Sequence, residues 1–412
     1  MTHEFPDGWQ SKPLSDLGEY QNGRAFKPSD WGTEGLPIIR IAQINNPYSE
    51  TNYYSGKDVQ EKHLIRDGDL LFSWSATLTA LLWRNGNGIL NQHIFKVVEN
   101  EGVDKNFLLY TILHSIDGLA AHSHGTTMKH IKKGVLNKYH VGVPPLPEQK
   151  KIAEVLSSVD EAIAATKAVI DQTKQVKKGL LQTLLTKGTG HTKFKQTELG
   201  VIPSTWRVAR VSEVVEEKNG ILTGPFGSML SGSDFTDEGV PVLKIGNVRE
   251  GYIDTSKMNF VSAEKAVQLE KYRVRNGDLL FARQGATTGR NSLSRKKHEG
   301  WLINYHIIRV RPNTSICNPD FLYTCFNSNS FISQVTENKG RGNRDGINCA
   351  NISSFKFPLP PIEEGTKIGN KLAEVDQIIY SAEQRVSCLA TLKLGLMSDL
   401  LTGRKRVEVL DA

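Results

Sequence analysis

The sequence predicts an α+β protein made twice over: two mixed α/β domains separated by two long antiparallel coiled-coil helices, with an internal pseudo-two-fold repeat. Three observations carry this reading. Val143-Pro-Pro-Leu-Pro-Glu-Gln149, followed by Ile152, Leu156, Val159, Asp160 and Ile163, returns as Leu359-Pro-Pro-Ile-Glu-Glu-Gly365, followed by Ile368, Leu372, Val375, Asp376 and Ile379. The offset is constant (376 − 160 = 216) and still holds where Leu180 and Leu184 meet Leu396 and Leu400. A period this long marks a duplicated module, since solenoid repeats run at about 20–50 residues. Within each copy the apolar residues step by four and three, the heptad of a coiled-coil seam. Before each copy lies a mixed segment with strand-like stretches, and these too correspond.

Taken in order, residues 1–145 form the first mixed domain. Its Glu34-Gly-Leu-Pro-Ile-Ile-Arg-Ile41 answers Glu238-Gly-Val-Pro-Val-Leu-Lys-Ile245, and Arg66-Asp-Gly-Asp-Leu-Leu-Phe72 answers Arg275-Asn-Gly-Asp-Leu-Leu-Phe281. Asn91-Gln-His-Ile-Phe-Lys-Val97 answers Asn304-Tyr-His-Ile-Ile-Arg-Val310, and Trp9 answers Trp206. Residues 146–188 form the first long helix. Its seam is Ile152, Leu156, Val159, Ile163, Thr166, Ile170, Thr173, Lys177, Leu180 and Leu184. Val155, Val169 and Val176 widen that stripe, which predicts packing beyond a single partner helix. A linker (189–202) leads to the second mixed domain (203–358).

The second helix (359–403) carries Ile368, Leu372, Val375, Ile379, Ala382, Val386, Leu389, Lys393, Leu396 and Leu400 on its seam, and a short tail (404–412) follows. Prolines suit the start of each helix, and Gly188 and Gly403 suit its stop. About 40 residues at 1.5 Å each make a rod of roughly 60 Å, which needs a partner along its length. The other copy supplies one, antiparallel because each helix returns the chain to the opposite end.

At 412 residues, 38% hydrophobic and 23% charged, the chain is globular with room for two or three domains. No apolar run reaches a membrane span, and Met1-Thr-His-Glu-Phe-Pro lacks a signal peptide's basic and apolar regions. The four cysteines (317, 325, 349, 388) form no C-x-x-C pair, so no disulfide framework or zinc knuckle is expected. The expected setting is cytoplasmic. The net charge of +7 is uneven: residues 203–358 hold 21 Lys+Arg against 15 Asp+Glu, while residues 1–145 hold 14 against 15. The second domain is the favoured polyanion contact, although a mildly basic surface also serves solubility alone.

On its repeated motifs the chain resembles the specificity subunit of type I restriction-modification systems. The resemblance is carried by Pro144-Pro-Leu-Pro-Glu-Gln149, Ile152-Ala-Glu-Val-Leu-x-x-Val-Asp160, Leu180-Leu-x-x-Leu-Leu-Thr186 and Thr197-Glu-Leu-Gly-Val-Ile-Pro-Ser-Thr-Trp206. The order domain, helix, domain, helix extends it over the whole chain. The match departs at Glu364-Gly365, which stands where the first copy has Glu148-Gln149. The resemblance implies two target recognition domains, each reading one part of a split, asymmetric sequence in double-stranded DNA, with the helices setting the spacer. It also implies docking of two methyltransferase subunits that use S-adenosylmethionine, and of motor-nuclease subunits in the restriction form.

The chain itself shows no catalytic pattern and is expected to hold no cofactor or metal. An adenine methyltransferase of this kind carries Asn/Asp-Pro-Pro-Tyr/Phe; the nearest string, Asn46-Pro47-Tyr48, reads as a turn. Lys187-Gly-Thr-Gly-His is no phosphate loop, and G-x-S-x-G and H-E-x-x-H are missing. His122, His124 and His130 read as loop histidines or phosphate donors and not as metal ligands, lacking a cysteine or carboxylate at ligand spacing. A self-sufficient methyltransferase or nuclease, and a coiled-coil adaptor without DNA readout, are the rival readings.

DNA recognition needs phosphate contacts for placement and base-edge contacts for sequence. Arg283-Gln-Gly-Ala-Thr-Thr-Gly-Arg290 suits both. Arg283 and Arg290 can fork onto guanine and Gln284 onto adenine, while Thr287 and Thr288 donate to either. Asn338-Lys-Gly-Arg-Gly-Asn-Arg-Asp-Gly-Ile-Asn348 adds Lys339, Arg341, Asn343, Arg344 and Asn348. The first domain's counterparts are Ser73-Trp-Ser-Ala-Thr77 (Ser73, Thr77) and His124-Gly-Thr-Thr-Met-Lys-His130 (Thr126, Thr127, Lys129). Trp74 is left open between the core and a sugar. Gly23-Arg24, with Arg24 as the contact, and Thr223-Gly-Pro-Phe-Gly-Ser228 are weaker candidates.

Overall fold

The computed structural model describes residues 5–56, 58–121, 131, 133–339 and 346–408. These separate into two compact units, Met1–Lys167 with Gln384–Ala412, and Ala168–Glu383. The long helices, Leu146–Lys187 and Ile362–Leu400, each contribute to both units.

The first unit has a four-stranded antiparallel sheet in the order Gly18–Asn22, Ile94–Glu99, Leu70–Ser73, Thr79–Leu82. A second sheet runs Tyr53–Tyr54, Leu36–Ile39, Gly88–Leu90, Leu64–Ile65, with its two central strands parallel. Helix Lys105–Ala121 buries Phe107, Leu108 and Ile112 against the first sheet's Phe72 and Phe95. Strands Gln10–Pro13 and His140–Val143 pair just before the long helix and tie both ends of the domain to its start.

The second unit repeats the plan. Its first sheet is Ile221–Thr223, Ile307–Val310, Leu279–Ala282, Asn291–Leu293. Its second is Phe235–Thr236, Asn259–Val261, Val240–Leu243, Leu302–Ile303, again with one parallel pair, here Val240–Leu243 with the edge strand Leu302–Ile303. Strands Arg207–Arg210 and Lys356–Leu359 close this domain as the equivalent pair closes the other.

The Arg-x-Gly-Asp repeat is a turn with a built-in lock. Gly68 and Gly277 take φ of +88° and +87°, the left-handed region that disfavours other residues. The Asp69 and Asp278 carboxylates accept from the backbone N–H of Arg66 (2.8 Å) and Arg275 (2.7 Å). Each carboxylate also pairs with a cation on the neighbouring strand region, Lys96 at 2.9 Å and Arg311 at 2.7 Å.

The helices pair antiparallel within each unit. In the first, Asp160 meets Lys393 at 2.7 Å and Glu148 meets Arg406 at 2.7 Å, so one partner's number rises as the other's falls. In the second, Lys177 meets Asp376 at 2.5 Å and Lys174 meets Glu383 at 2.7 Å. Asp160–Lys393 and Asp376–Lys177 are the same pair under the repeat (160 + 216 = 376; 177 + 216 = 393). On the first helix Ile152, Leu156, Val159, Ile170 and Leu184 are buried, and Ile163 and Leu180 half-buried. On the second, Ile368, Leu372, Ile379 and Leu400 are buried, and Val375, Val386, Leu389 and Leu396 half-buried. Val155 packs on the first unit's core, but Val169 and Val176 stay 49% and 63% exposed.

Both helix starts are clasped. In the first unit Trp9 Nε1 donates to Glu148 (3.2 Å), whose carboxylate also takes two bonds from Arg406. In the second, Trp206 Nε1 donates to Glu364 (2.8 Å), with Thr189 N (2.9 Å) and His191 Nε2 (2.8 Å) as further partners. Gln149 and Gly365 stand in different surroundings. Gln149 accepts from Asp104 N and donates to the Gly102 and Pro144 carbonyls. The second helix instead comes close to helix Pro319–Phe326: a Cβ at Gly369 would lie 2.6 Å from Phe321 N, and one at Gly365 would meet the Phe321 ring at 3.7 Å.

Candidate nucleic-acid interface

In each unit four strands deliver their carboxyl ends to one neighbourhood. In the first, Gly18–Asn22 leads to Gly23-Arg24, Leu36–Ile39 to Arg40, Gly88–Leu90 to Asn91, and Leu70–Ser73 to Trp74. Gly23 N donates to Ile94 O (3.2 Å), Asn91 N to Ile39 O (3.0 Å), and Arg24 forms a bridge with Asn91. In the second, Gly224 N donates to Ile307 O (3.2 Å) and Asn304 N to Leu243 O (2.9 Å). The approach is so close that a Cβ at Gly23 or Gly224 would lie 2.2 Å from the carbonyl of Asn91 or Asn304, which leaves room for glycine alone.

The second unit brings its two candidate loops together. Arg283 N donates to His306 O (3.1 Å), its Nε to Ile347 O (3.2 Å), and its guanidinium lies 5.1 Å over the Tyr305 ring. Arg283 Nη1 is buried and has no hydrogen-bond partner among the described residues. Tyr305 in turn packs edge-on against Phe226, 4.8 Å away. Gln284 bridges Gly346, and its Oε1 lies 2.9 Å from His306 Nδ1. Burial, with the Arg283 charge beside it, holds the His306 imidazole below its ordinary pKa. Thr287 and Thr288 donate to the Gln284 and Gly285 carbonyls (3.3 and 2.8 Å), and Lys339 Nζ reaches Gly285 O at 3.5 Å. Gly285 and Gly289 turn the loop at φ of +74° and +98°. Arg290 is exposed and in no ion pair among the described residues. Asn348 caps helix Cys349–Ser354, its Oδ1 accepting from Asn351 N (2.9 Å), which leaves its NH₂ for other contacts.

The first unit differs. Arg24 pairs with Asp58 (2.9 Å) and lies 4.5 Å over Tyr54, whose hydroxyl also bonds Asp58. The Arg24 and Tyr54 hydrogen bonds hold the Asp58 carboxyl down at about 2, so a phosphate would have to displace a formed ion pair. Ser73 is wholly buried with its Oγ 3.4 Å from the Ser75 carbonyl. It offers a duplex no atom in this conformation, because all four residues of its strand lie between packed layers. Thr77 is exposed and accepts from Asn45 Nδ2 (3.2 Å). Trp74 packs on the core, 5.7 Å from Phe95. Asn46 forms the expected turn, its Oδ1 accepting from Tyr48 N (3.0 Å). Thr126, Thr127, Lys129, Arg341, Asn343 and Arg344 lie outside the described residues, as do His122, His124 and His130. Among the described residues no His/Cys/Asp/Glu group could hold a metal, and no helix is long and apolar enough to cross a membrane.

Sequence reading missed Tyr305 and His306, which brace Arg283 from a distance in sequence, and holds Phe226 only within a weaker candidate loop. It also missed Arg40 and Lys244, although their place in the repeated Pro-x-x-Arg/Lys-Ile motif was in view.

The family model for the type I restriction modification DNA specificity domain matches residues 6–175 and again 203–387. The MjaVIII specificity subunit of Methanocaldococcus jannaschii is 25% identical over 418 residues, covering 98% of this chain and 95% of its own. The EcoBI specificity subunit of Escherichia coli is 26% identical over 422 residues, covering 98% and 86%. In fold, the chain is similar to the S subunit from M. genitalium (TM-score 0.64, 14% identity, 97% of each chain). It is also similar to a chain solved in work on complex assembly and conformational transition of the type I R-M system (TM-score 0.53, 16% identity, 98% and 100%). With the family model met twice, over most of the chain, the protein belongs to the specificity subunits of type I restriction-modification systems, the noncatalytic DNA-recognition components of those complexes.

Proposed function

We propose that this subunit reads a bipartite, asymmetric target in double-stranded DNA, one part by each domain, with the helices setting the spacer. It docks two methyltransferase subunits, which bring S-adenosylmethionine, and through them the motor-nuclease subunits. One observation carries the reading: a complete domain-plus-helix half is present twice, with the clasps and turns kept and the strand-end loops changed. Arg283, Gln284 and Arg290 stand where the first domain has Trp74, Ser75 and neighbouring uncharged residues. Matched scaffolds with unmatched loops suit one geometry of contact applied to two different sequences.

Docking of equivalent partners fits the exposed apolar positions on the helices. Val176 and Leu392 correspond under the repeat (176 + 216 = 392) and are 63% and 49% exposed. Surface of this kind on both copies suits burial against another subunit.

The test is methylome mapping of a host carrying the system with wild-type, Arg283→Ala and Arg290→Ala subunits. A split motif with fixed spacer is expected from wild type. Each variant relaxes one half only, since a good bidentate base contact discriminates by about 1–3 kcal/mol. An unsplit motif, or methylation by the purified chain alone, would refute the reading. Unchanged discrimination at every base would remove these arginines from readout.

A further inference from the structure

Two cations occupy the same place in both domains while the loops around them differ. Arg40 follows strand Leu36–Ile39 and Lys244 follows strand Val240–Leu243. Each lies over an aromatic ring nine residues earlier in the chain (40 − 31 = 9; 244 − 235 = 9): Arg40 is 4.5 Å from the Trp31 centroid, Lys244 4.1 Å from that of Phe235. Each has its backbone N–H fixed by an amide three residues on, Gln43 Oε1 at 3.0 Å and Asn247 Oδ1 at 2.8 Å. Those amides are buried, 4% and 7% exposed, and their NH₂ groups tie down the next loop through the Glu50 and Asp254 carbonyls. The backbone position of each cation is therefore rigid.

Neither cation is neutralised. Neither takes part in an ion pair among the described residues, whereas Arg24, Lys96 and Lys265 nearby in their domains pair with Asp58, Asp69 and Asp234. Both are half-buried, with a ring on one side. A cation–π contact contributes about 0.5–1 kcal/mol at an exposed site. That is enough to orient a side chain and too little to replace an anion. Both also stand at the strand ends that carry the candidate readers, since the residue before each accepts from Asn91 N or Asn304 N.

Base readers must differ between domains that read different sequences, but phosphate is common to all sequences. A charge kept in place, with its stacking ring, in two otherwise diverged domains belongs to the part of the duplex that does not vary. We propose that Arg40 and Lys244 are equivalent phosphate anchors, one per domain, which place the DNA backbone identically against two different sets of reading loops. This rests on the reading of the protein as a two-domain DNA reader. The alternative is a staple that only fixes the fold.

The experiment uses the assembled methyltransferase complex, with binding to a target duplex and a scrambled duplex followed across a salt series. Arg40→Gln and Lys244→Gln are each expected to weaken both duplexes by the same factor. Each should also lower the slope of log K against log[salt] by about 0.9, the value of one phosphate contact, and leave the methylated motif unchanged. Arg40→Lys and Lys244→Arg, which keep charge and ring contact, should retain the slope. A methylphosphonate scan of the target with the wild-type complex needs no variant, and is expected to find one sensitive phosphate at matching places in the two half-sites. An unchanged slope, a changed motif, or a sensitive phosphate in only one half-site overturns the anchors. A wild-type complex that does not prefer a split target overturns the underlying reading instead.

Discussion

Glu364 should act as the keystone of the second unit, and its removal should be felt locally and strongly. Its carboxylate accepts from Trp206 Nε1 (2.8 Å), Thr189 N (2.9 Å), Thr189 Oγ1 (3.0 Å) and His191 Nε2 (2.8 Å). The Trp206 ring is wholly buried, so Glu364→Ala leaves an indole N–H with neither acceptor nor water. A buried donor left unsatisfied costs about 1–3 kcal/mol, and hydrogen bonds to a charged group are worth about 1.5–3 kcal/mol each. Thr189 is exposed and recovers its bonds from water, so the sum is about 3 kcal/mol. Glu364→Gln keeps an acceptor for Trp206 but turns an NH₂ toward other donors, and should cost about half as much. Hydrogen exchange on the assembled complex reads this directly. At 1.4 kcal/mol per factor of ten, amides from Thr189 to Trp206 should lose protection roughly 100-fold in the alanine variant and roughly 10-fold in the glutamine variant. The Trp9–Glu148 clasp serves as internal reference. A change below about 3-fold at Thr189–Trp206 in the alanine variant would refute the accounting.

His298 gives a pH dependence. Burial, with Lys297 and Arg295 beside it, pushes its imidazole down to about 4, and its Nδ1 accepts from Arg295 N at 3.0 Å. The unfolded chain binds the proton first, near pH 6.5, so stability present above that value is lost as pH falls toward 4, by about 2 kcal/mol at pH 5. Urea titrations at pH 7 and 5 should show that loss, and His298→Asn, which keeps an acceptor, should flatten it; equal pH dependence in both proteins would refute the assignment. The repeated ion pairs are partly exposed, so each should be worth about 0.5–1 kcal/mol in a double-mutant cycle. Asp160→Asn with Lys393→Gln and Asp376→Asn with Lys177→Gln should give similar couplings; a coupling in one cycle alone would break the equivalence.

What the sequence disclosed depended on how far apart the interacting residues lie. The heptads, the recurrence of the Arg-x-Gly-Asp string and the prolines and glycines at the helix ends are short-range patterns, and they are legible, whereas the turn that the string forms is not. The sequence offers Arg24 as a DNA-contact candidate because its partner Asp58 is 34 residues away. Ser73 was read as a loop hydroxyl because nothing in Phe-Ser-Trp shows that the strand is covered on both faces. Arg283 stands out in sequence as a cation of a glycine-rich loop, but its braces at Tyr305 and Ile347 come from separate strands and loops. Arg40 and Lys244 were hidden by substitution: Trp31 became Phe235 and arginine became lysine, so chemical equivalence survived where residue identity did not.

The clasps show what the duplication had to preserve. Glu148 and Glu364 sit in the first turn of their helices, where a carboxylate is favoured by the unsatisfied N–H groups. Each accepts from a tryptophan that opens its domain and meets a nitrogen-bearing side chain three residues past the glycine ending the other helix (191 − 188 = 3; 406 − 403 = 3). His191 and Arg406 are chemically unlike, so the position of the donor matters more than its identity. An apolar seam with a seven-residue repeat would tolerate a slip of one heptad, about 10 Å along the axis. The clasp and the Asp–Lys pair in the same unit would not, because one slip opens both. The seam therefore supplies adhesion and the polar contacts supply register. Register is the property on which any fixed spacing between two reading domains must depend.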